Sequence, residues 1–251
     1  MKLPKRDLPQ YSVELPASGV TVKYRPHTVK EEQILNMAMM SEEEKDKIEA
    51  IFQITENCVD YDIHTLFPAE VEYLFMKIRA TSDTSVIPVV YHIDRTEEDD
   101  EGNLVHGEDC PDTINSAFDI NKDVKVVVDE KTMAKYATRA KTGGWVIELD
   151  TDLKMLINIR PLVDVNDDSL YELLECVIVE KGDDEDEILY KDVDFNQEEF
   201  REWVEGLPSN AFDTFSKFME NIPKCQATLK FKCRCGKQYK ETEEGILRFL
   251  V

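Results

Sequence analysis

A chain of 251 residues with 53 acidic against 30 basic side chains carries a formal charge of −23, which argues against a phosphate-backbone binder, because affinity for nucleic acid rests on cationic contacts that displace counterions. Its 42% hydrophobic content is enough for a sizeable core in one large or two small domains. The ends are an exception to the acidity: Lys2 to Lys30 and Lys224 to Val251 each balance at about +4 by formal charge, and these basic ends can pair with the acidic body, with an acidic partner, or stay as solvated faces.

The opening "MKLPKRDLPQ" is polar and proline-broken, so no secretory leader is expected. Nor does any apolar run approach the roughly 18 residues that a membrane span needs. Six cysteines in such a chain are expected as free thiols in a reducing cytoplasm.

"YSVELPASGVTVKYRPHT" alternates apolar and polar residues around Pro16 and Gly19 and predicts a hairpin closed by Pro26. Thr28 and Glu31 have capping-box spacing, in which each side chain satisfies a backbone amide at a helix start, so a helix is expected from there to about Met40. Ser41 and Glu44 repeat the spacing before a second helix with Ile48, Ile51, Phe52, Thr55 and Cys58 or Val59 on one face. Pro68 is placed to begin a third, burying Val71, Leu74, Phe75 and Ile78.

The texture then changes to strands. "SVIPVVYHI" is β-branched and aromatic, "EEDDEGN" is a charged loop and "DVKVVVD" a short strand. "EKTMAKYATRA" predicts a short helix, and "TGGWVIELDTDLKMLINIRPL" a hairpin hinged at Asp150 to Asp152. After the apolar run "SLYELLECVIVE" and the loop "KGDDEDE", Asn196 with Glu199 opens a helix carrying Phe200, Trp203 and Val204. "LPSNAFDTFSKFMENIP" adds another, with Phe212, Phe215, Phe218 and Met219 on one face, and the tail forms two strands around Gly236. The expected fold class is therefore α+β: residues 1–84 a hairpin plus helical unit, 85–165 a central antiparallel β region, and 166–251 a C-terminal helical region with a terminal hairpin.

Candidate chemistry is sparse. Cys225, Cys233 and Cys235 are weak zinc candidates: thiolates clustered on a turn suit tetrahedral zinc, but a single Cys-x-Cys-Gly with one outlier and no histidine nearby in sequence is poor spacing, and ordinary hairpin-turn cysteines are the favoured reading. "DVNDDSLYELLE" places Asp164, Asn166, Asp168 and Glu175 at calcium-loop positions. Ser169 stands where the turn needs glycine, however, and the flank is strand-like. The four histidines, His27, His64, His92 and His106, lie in no recognisable nucleophile motif, and no P-loop, dinucleotide or Gly-x-Ser-x-Gly fingerprint is present. No catalytic residue, no metal and no cofactor is expected, and the chain is read as a binder rather than an enzyme.

Three blocks, "VKYRPHTVKEEQILNMA", "FPAEVEYLFMKIRATS" and "NQEEFREWVEGLPSNAFDTFSKFMENIPKC", occur in the order found in the baseplate hub proteins of contractile-tailed, T-even-type bacteriophages, and the chain resembles that family. The matching positions are Arg25, Pro26 and Thr28 to Glu32, then Tyr73, Leu74, Phe75 and Arg79, then Phe212, Phe215, Phe218 and Pro223. The resemblance implies a late phage protein, and a chain of this length looks more like the hub assembly factor, a chaperone in the host cytoplasm, than the hub subunit retained in the virion tail. It also implies other hub and tail-tip proteins as partners, with a homo-oligomer compatible and neither nucleic acid nor membrane involved. Arg25, Glu31, Glu32, Tyr73 and Arg79 are the candidate partner-binding residues, folded together as one unit in which Arg79 could pair with Glu31 or Glu32. A zinc or calcium module and a tail-associated hydrolase are the competing readings.

Overall fold

β1 (Tyr11–Glu14) and β2 (Thr21–Tyr24) form the expected antiparallel hairpin, with Tyr11 opposite Tyr24. Its turn needs Gly19, whose φ of +69° lies in the left-handed region and whose N–H donates to Leu15 O at 2.9 Å. The computed structural model describes residues 7–97, 104–107, 109–141, 144–159, 169–181 and 185–245.

α1 (Val29–Met39) starts on the predicted capping box: the Glu31 carboxylate accepts from Thr28 N at 2.7 Å while the Thr28 hydroxyl caps the first turn. α2 (Glu44–Cys58) differs at its start. Ser41 stands too far upstream to cap it, and instead accepts from Glu43 N at 3.2 Å and donates to Asp46 at 2.5 Å. Ile51, Ile54, Thr55 and Cys58 are its buried face. α3 (Pro68–Ser82) has Pro68 in its first turn and buries Val71, Leu74, Phe75 and Ile78 as expected, with Met76 in addition.

β3 (Val86–His92) pairs antiparallel with β4 (Thr113–Asp119), a strand that polar Thr113, Asn115 and Ser116 disguise in the sequence. Pro88 is tolerated because this is a two-stranded sheet in which one side of the strand needs no ladder. There follow α4 (Ile120–Asp123), β5 (Val124–Val127), α5 (Glu130–Tyr136), β6 (Thr138–Arg139), β7 (Trp145–Glu148) and β8 (Leu153–Ile157). α6 (Ser169–Leu173), β9 (Leu174–Val179), β10 (Glu187–Tyr190), α7 (Gln197–Glu205), α8 (Asp213–Glu220), β11 (Lys224–Lys232) and β12 (Gln238–Glu244) complete the described chain.

Two larger sheets organise these elements. One has the order β10-β9-β8-β7-β6, and the other β12-β11-β5, with antiparallel pairing throughout. The chain is α+β, as read from its sequence. β8 pairs with β9, and β5 with β11, so sheet hydrogen bonds join segments on either side of residue 165.

Apolar burial follows the sheets. One core gathers Ile54, Phe75 and Ile78 from the helices with Ile120, Val124, Ala227 and Phe231 from the small sheet and its surroundings. A second packs Ile147, Met155, Ile157 and Val177 of the five-stranded sheet under Met133, Phe200 and Phe218. Smaller groups lie under the N-terminal hairpin and around Ile93, Cys110 and Cys233. Among the described residues no helix is long and apolar enough to cross a membrane.

Candidate partner-binding surface and cysteine cluster

Arg25 leaves β2 and spends its guanidinium inside the N-terminal unit. It donates to Pro26 O at 3.0 Å, to Asn57 O at 2.8 Å and to Glu31 Oε1 at 3.0 Å, so it ties the hairpin exit to α1 and to the end of α2. Burial works to raise the Glu31 carboxyl, but hydrogen bonds from Arg25 and Thr28 outweigh it and bring the group down to about 2. Such a carboxylate is a fixed anion at any physiological pH.

His27 connects the same unit to α3: its backbone N–H donates to Ser82 Oγ at 2.8 Å, while its Nε2 lies 2.8 Å from Glu32 Oε2. Arg79 is half-buried on α3. Burial pulls its pKa down, against the opposing charges of Asp83 and Glu32. Tyr73 is also half-buried, with Lys77 Nζ 5.0 Å from its ring centroid. The structure thus brings Arg25 together with Glu31, puts Glu32 within the field of Arg79, and leaves Glu32 more than half exposed.

The outward end of α1 holds residues that sequence reasoning did not single out. Met40 is 86% and Met37 66% exposed, with Met39 beside them, and the exposed run Glu42 to Glu44 follows closely in the chain. Methionine is flexible and polarisable and fills irregular partner surfaces. Three methionines within four residues at the predicted helix end, in "MAMM", were the available signal.

The cysteines separate into two groups. Cys58, Cys176 and Cys225 lie in apolar surroundings, and burial pushes the thiol of Cys58 up to about 11 and that of Cys225 up to about 12. Cys225 packs in the helix-and-sheet core beside Ala227. Cys233 and Cys235 sit at the β11 to β12 turn and meet His106 and Cys110 from the connection between β3 and β4. One ligand atom from each of these four residues lies within 4.8 Å of all the others. His106 and Cys110 were not grouped with the turn cysteines in the sequence, although "HGEDC" has the spacing to put two ligands on one loop.

Of the calcium-like stretch, residues 164–168 lie outside the described residues. Glu175 is on β9, where its carboxylate accepts from Asn158 Nδ2 at 3.0 Å. The other histidines are dispersed: His64 faces Glu56 on the surface, and His92 is exposed on β3.

The family model for the T4 bacteriophage base plate protein matches residues 8–251, nearly the entire chain. No curated protein and no solved structure matches it.

Proposed function

The chain belongs to the T4 bacteriophage base plate protein family, and we propose that it acts within that setting as an assembly factor for the baseplate hub, working by protein–protein binding rather than catalysis. The observation that carries the proposal is the match to the family model over residues 8–251, which spans all three blocks of the hub resemblance. On this reading the protein works in the host cytoplasm on other hub and tail-tip proteins before the baseplate closes.

The arrangement of the N-terminal unit supports binding. The Arg25–Glu31 pair and the His27 N–H to Ser82 hydroxyl bond hold the hairpin, α1 and α3 together, while Met37, Met39 and Met40 at the end of α1 are exposed just before the acidic run Glu42 to Glu44. The partner that fits this face is a tail protein presenting an apolar patch edged by basic residues, since opposite charges steer encounter and apolar burial holds it.

Mass spectrometry of purified particles, beside a pull-down from infected cells with this chain as bait, tests the proposal. Recovery of hub and tail-tip proteins in the pull-down with absence from particles is the expected result. Presence at stoichiometric amounts in particles would make it a structural subunit, and absence from both would remove the assembly role.

A further inference from the structure

The turn between β11 and β12 presents two thiols from a tight loop. Cys233 N donates to Lys237 O at 2.8 Å and Gly236 N to Cys233 O at 3.0 Å, and Gly236 takes φ +98°, a conformation that favours glycine. This brings the backbone N–H of Cys235 onto the Cys233 sulfur.

From the opposite side comes the loop of His106 and Cys110, and it is braced independently of the thiols. The Arg95 guanidinium donates to Gly107 O at 2.9 Å, to the carbonyl of Cys110, and to Asp112 Oδ1 at 3.1 and 2.7 Å. His106 and Cys110 are buried, Cys233 is buried, and Cys235 closes the group at the surface.

The imidazole is oriented by groups outside the cluster. His106 Nε2 lies 2.5 Å from the Tyr239 hydroxyl and 3.4 Å from Glu97 Oε2, and the Tyr239 hydroxyl itself donates to Glu97 Oε2 at 2.9 Å. With its proton committed to Glu97, the tyrosine oxygen can only accept from His106, so Nε2 carries the imidazole hydrogen. Nδ1 is then a bare lone pair, and it faces Cys235 Sγ at 3.7 Å. Fixing one imidazole nitrogen as donor so that the other can ligate is how metal-bound histidines are held.

The dimensions suit one ion in particular. Zinc bound at about 2.3 Å to sulfur and about 2.0 Å to nitrogen in a tetrahedron has ligand-to-ligand edges of roughly 3.5–3.8 Å. The 3.7 Å separation of nitrogen and sulfur falls in that range, and the limit of 4.8 Å for the remaining edges leaves about 1 Å of closure. Three cysteines and one histidine with no open position are a structural zinc set, whereas iron–sulfur clusters favour four thiolates.

We propose that His106 Nδ1, Cys110 Sγ, Cys233 Sγ and Cys235 Sγ bind one structural zinc ion. Each coordinating thiol enters as the thiolate and releases its proton on binding. The ion pins the β3 to β4 connection onto the tip of the terminal hairpin, joining positions as far as 129 residues apart along the chain. Residues that lie in separate parts of the sequence thereby become a single cross-linked edge, and the metal, unlike a disulfide, holds in a reducing compartment.

Elemental analysis of the full chain, purified under reducing conditions without chelator, is expected to give one zinc per chain. Cys110→Ser with Cys235→Ser is expected to give none, and Cys225→Ala to keep one. Cobalt titrated into chelator-treated wild-type protein decides the matter if the double variant does not fold: thiolate-to-cobalt charge transfer and tetrahedral visible bands should saturate at one equivalent and vanish on adding zinc. Absence of both zinc and the cobalt spectrum, iron or copper in place of zinc, zinc retained in a folded double variant, or zinc lost in Cys225→Ala would each overturn the proposal.

Discussion

The carboxylate of Glu70, at the start of α3, is wholly buried and accepts from the backbone N–H of Ser18 at 2.8 Å and from the Ser18 hydroxyl at 3.0 Å, in the turn of the N-terminal hairpin. Ala17 N adds a third donor at 3.0 Å. One acidic side chain thus satisfies a turn that has no strand partner of its own, and fixes the hairpin onto the helix. Glu70→Ala leaves these partly buried donors without their acceptor and is expected to cost about 1–3 kcal/mol. Urea unfolding checks it; a loss below about 0.5 kcal/mol, the size of a surface effect, would contradict the role.

Glu31 makes the N-terminal unit pH-sensitive. Its carboxyl titrates at about 2 in the folded chain against an ordinary value of 4.5, so the stabilisation is fully present above 4.5 and is lost as the pH falls from there toward 2. The full shift corresponds to about 3 kcal/mol, which the partial exposure of Arg25 reduces to about 1–2 kcal/mol. Urea midpoints at pH 7 and pH 3 should show the wild type more stable than Glu31→Gln at pH 7 and the difference reduced to about half or less at pH 3.

Cys58, Cys176 and Cys225 have thiols whose pKa burial raises above the usual value, so they stay protonated. Iodoacetamide at pH 8 should leave all three unmodified in the native protein and alkylate them once denaturant is added. Peptide mapping by mass spectrometry reads each site separately.

Phe218 is fully buried under the five-stranded sheet, its ring centroid 5.3 Å from that of Trp145. Truncation to alanine removes a large apolar side chain and leaves a cavity, for an expected loss of about 3–5 kcal/mol. Trp145 fluorescence should shift to the red even where the chain stays folded.

Met37→Lys with Met40→Lys tests the outward face of α1. Both side chains are mostly solvent-exposed, so unfolding should change by no more than about 0.5 kcal/mol. Recovery of tail proteins in the pull-down should fall at least tenfold, because the new charges oppose a basic-edged partner. Undiminished recovery would move the contact elsewhere.

The parts legible in the sequence are those whose chemistry is local. The Thr28–Glu31 cap, Pro68 in the first turn of α3, the Asn196–Glu199 cap and the turn at Gly236 each act within a few residues, and each is where the spacing places it. β4 and β10 escaped because neither reads as a run of alternating apolar residues, and their pairing is set by neighbours far off or by short exposed stretches. At α2 the expected Ser41–Glu44 cap does not form: Glu43 precedes the helix without a side-chain cap and Ser41 closes a turn ahead of it, which a serine does as readily as cap a helix. The cysteine cluster was half visible: Cys233 and Cys235 stood out, whereas His106 and Cys110 reach them only through the pairing of β3 with β4 and of β11 with β12.

β11 lies between β5 and β12 and supplies Cys225, Ala227, Leu229 and Phe231 to the core shared with α2 and α3. During synthesis α2 and α3 therefore emerge with part of their apolar surface waiting for a strand made much later. Contacts so far apart along the chain are reached late and slowly, because the intervening loop must close first. A nascent chain halted before residue 224 would carry that surface uncovered, so burial of these helices waits on the synthesis of β11.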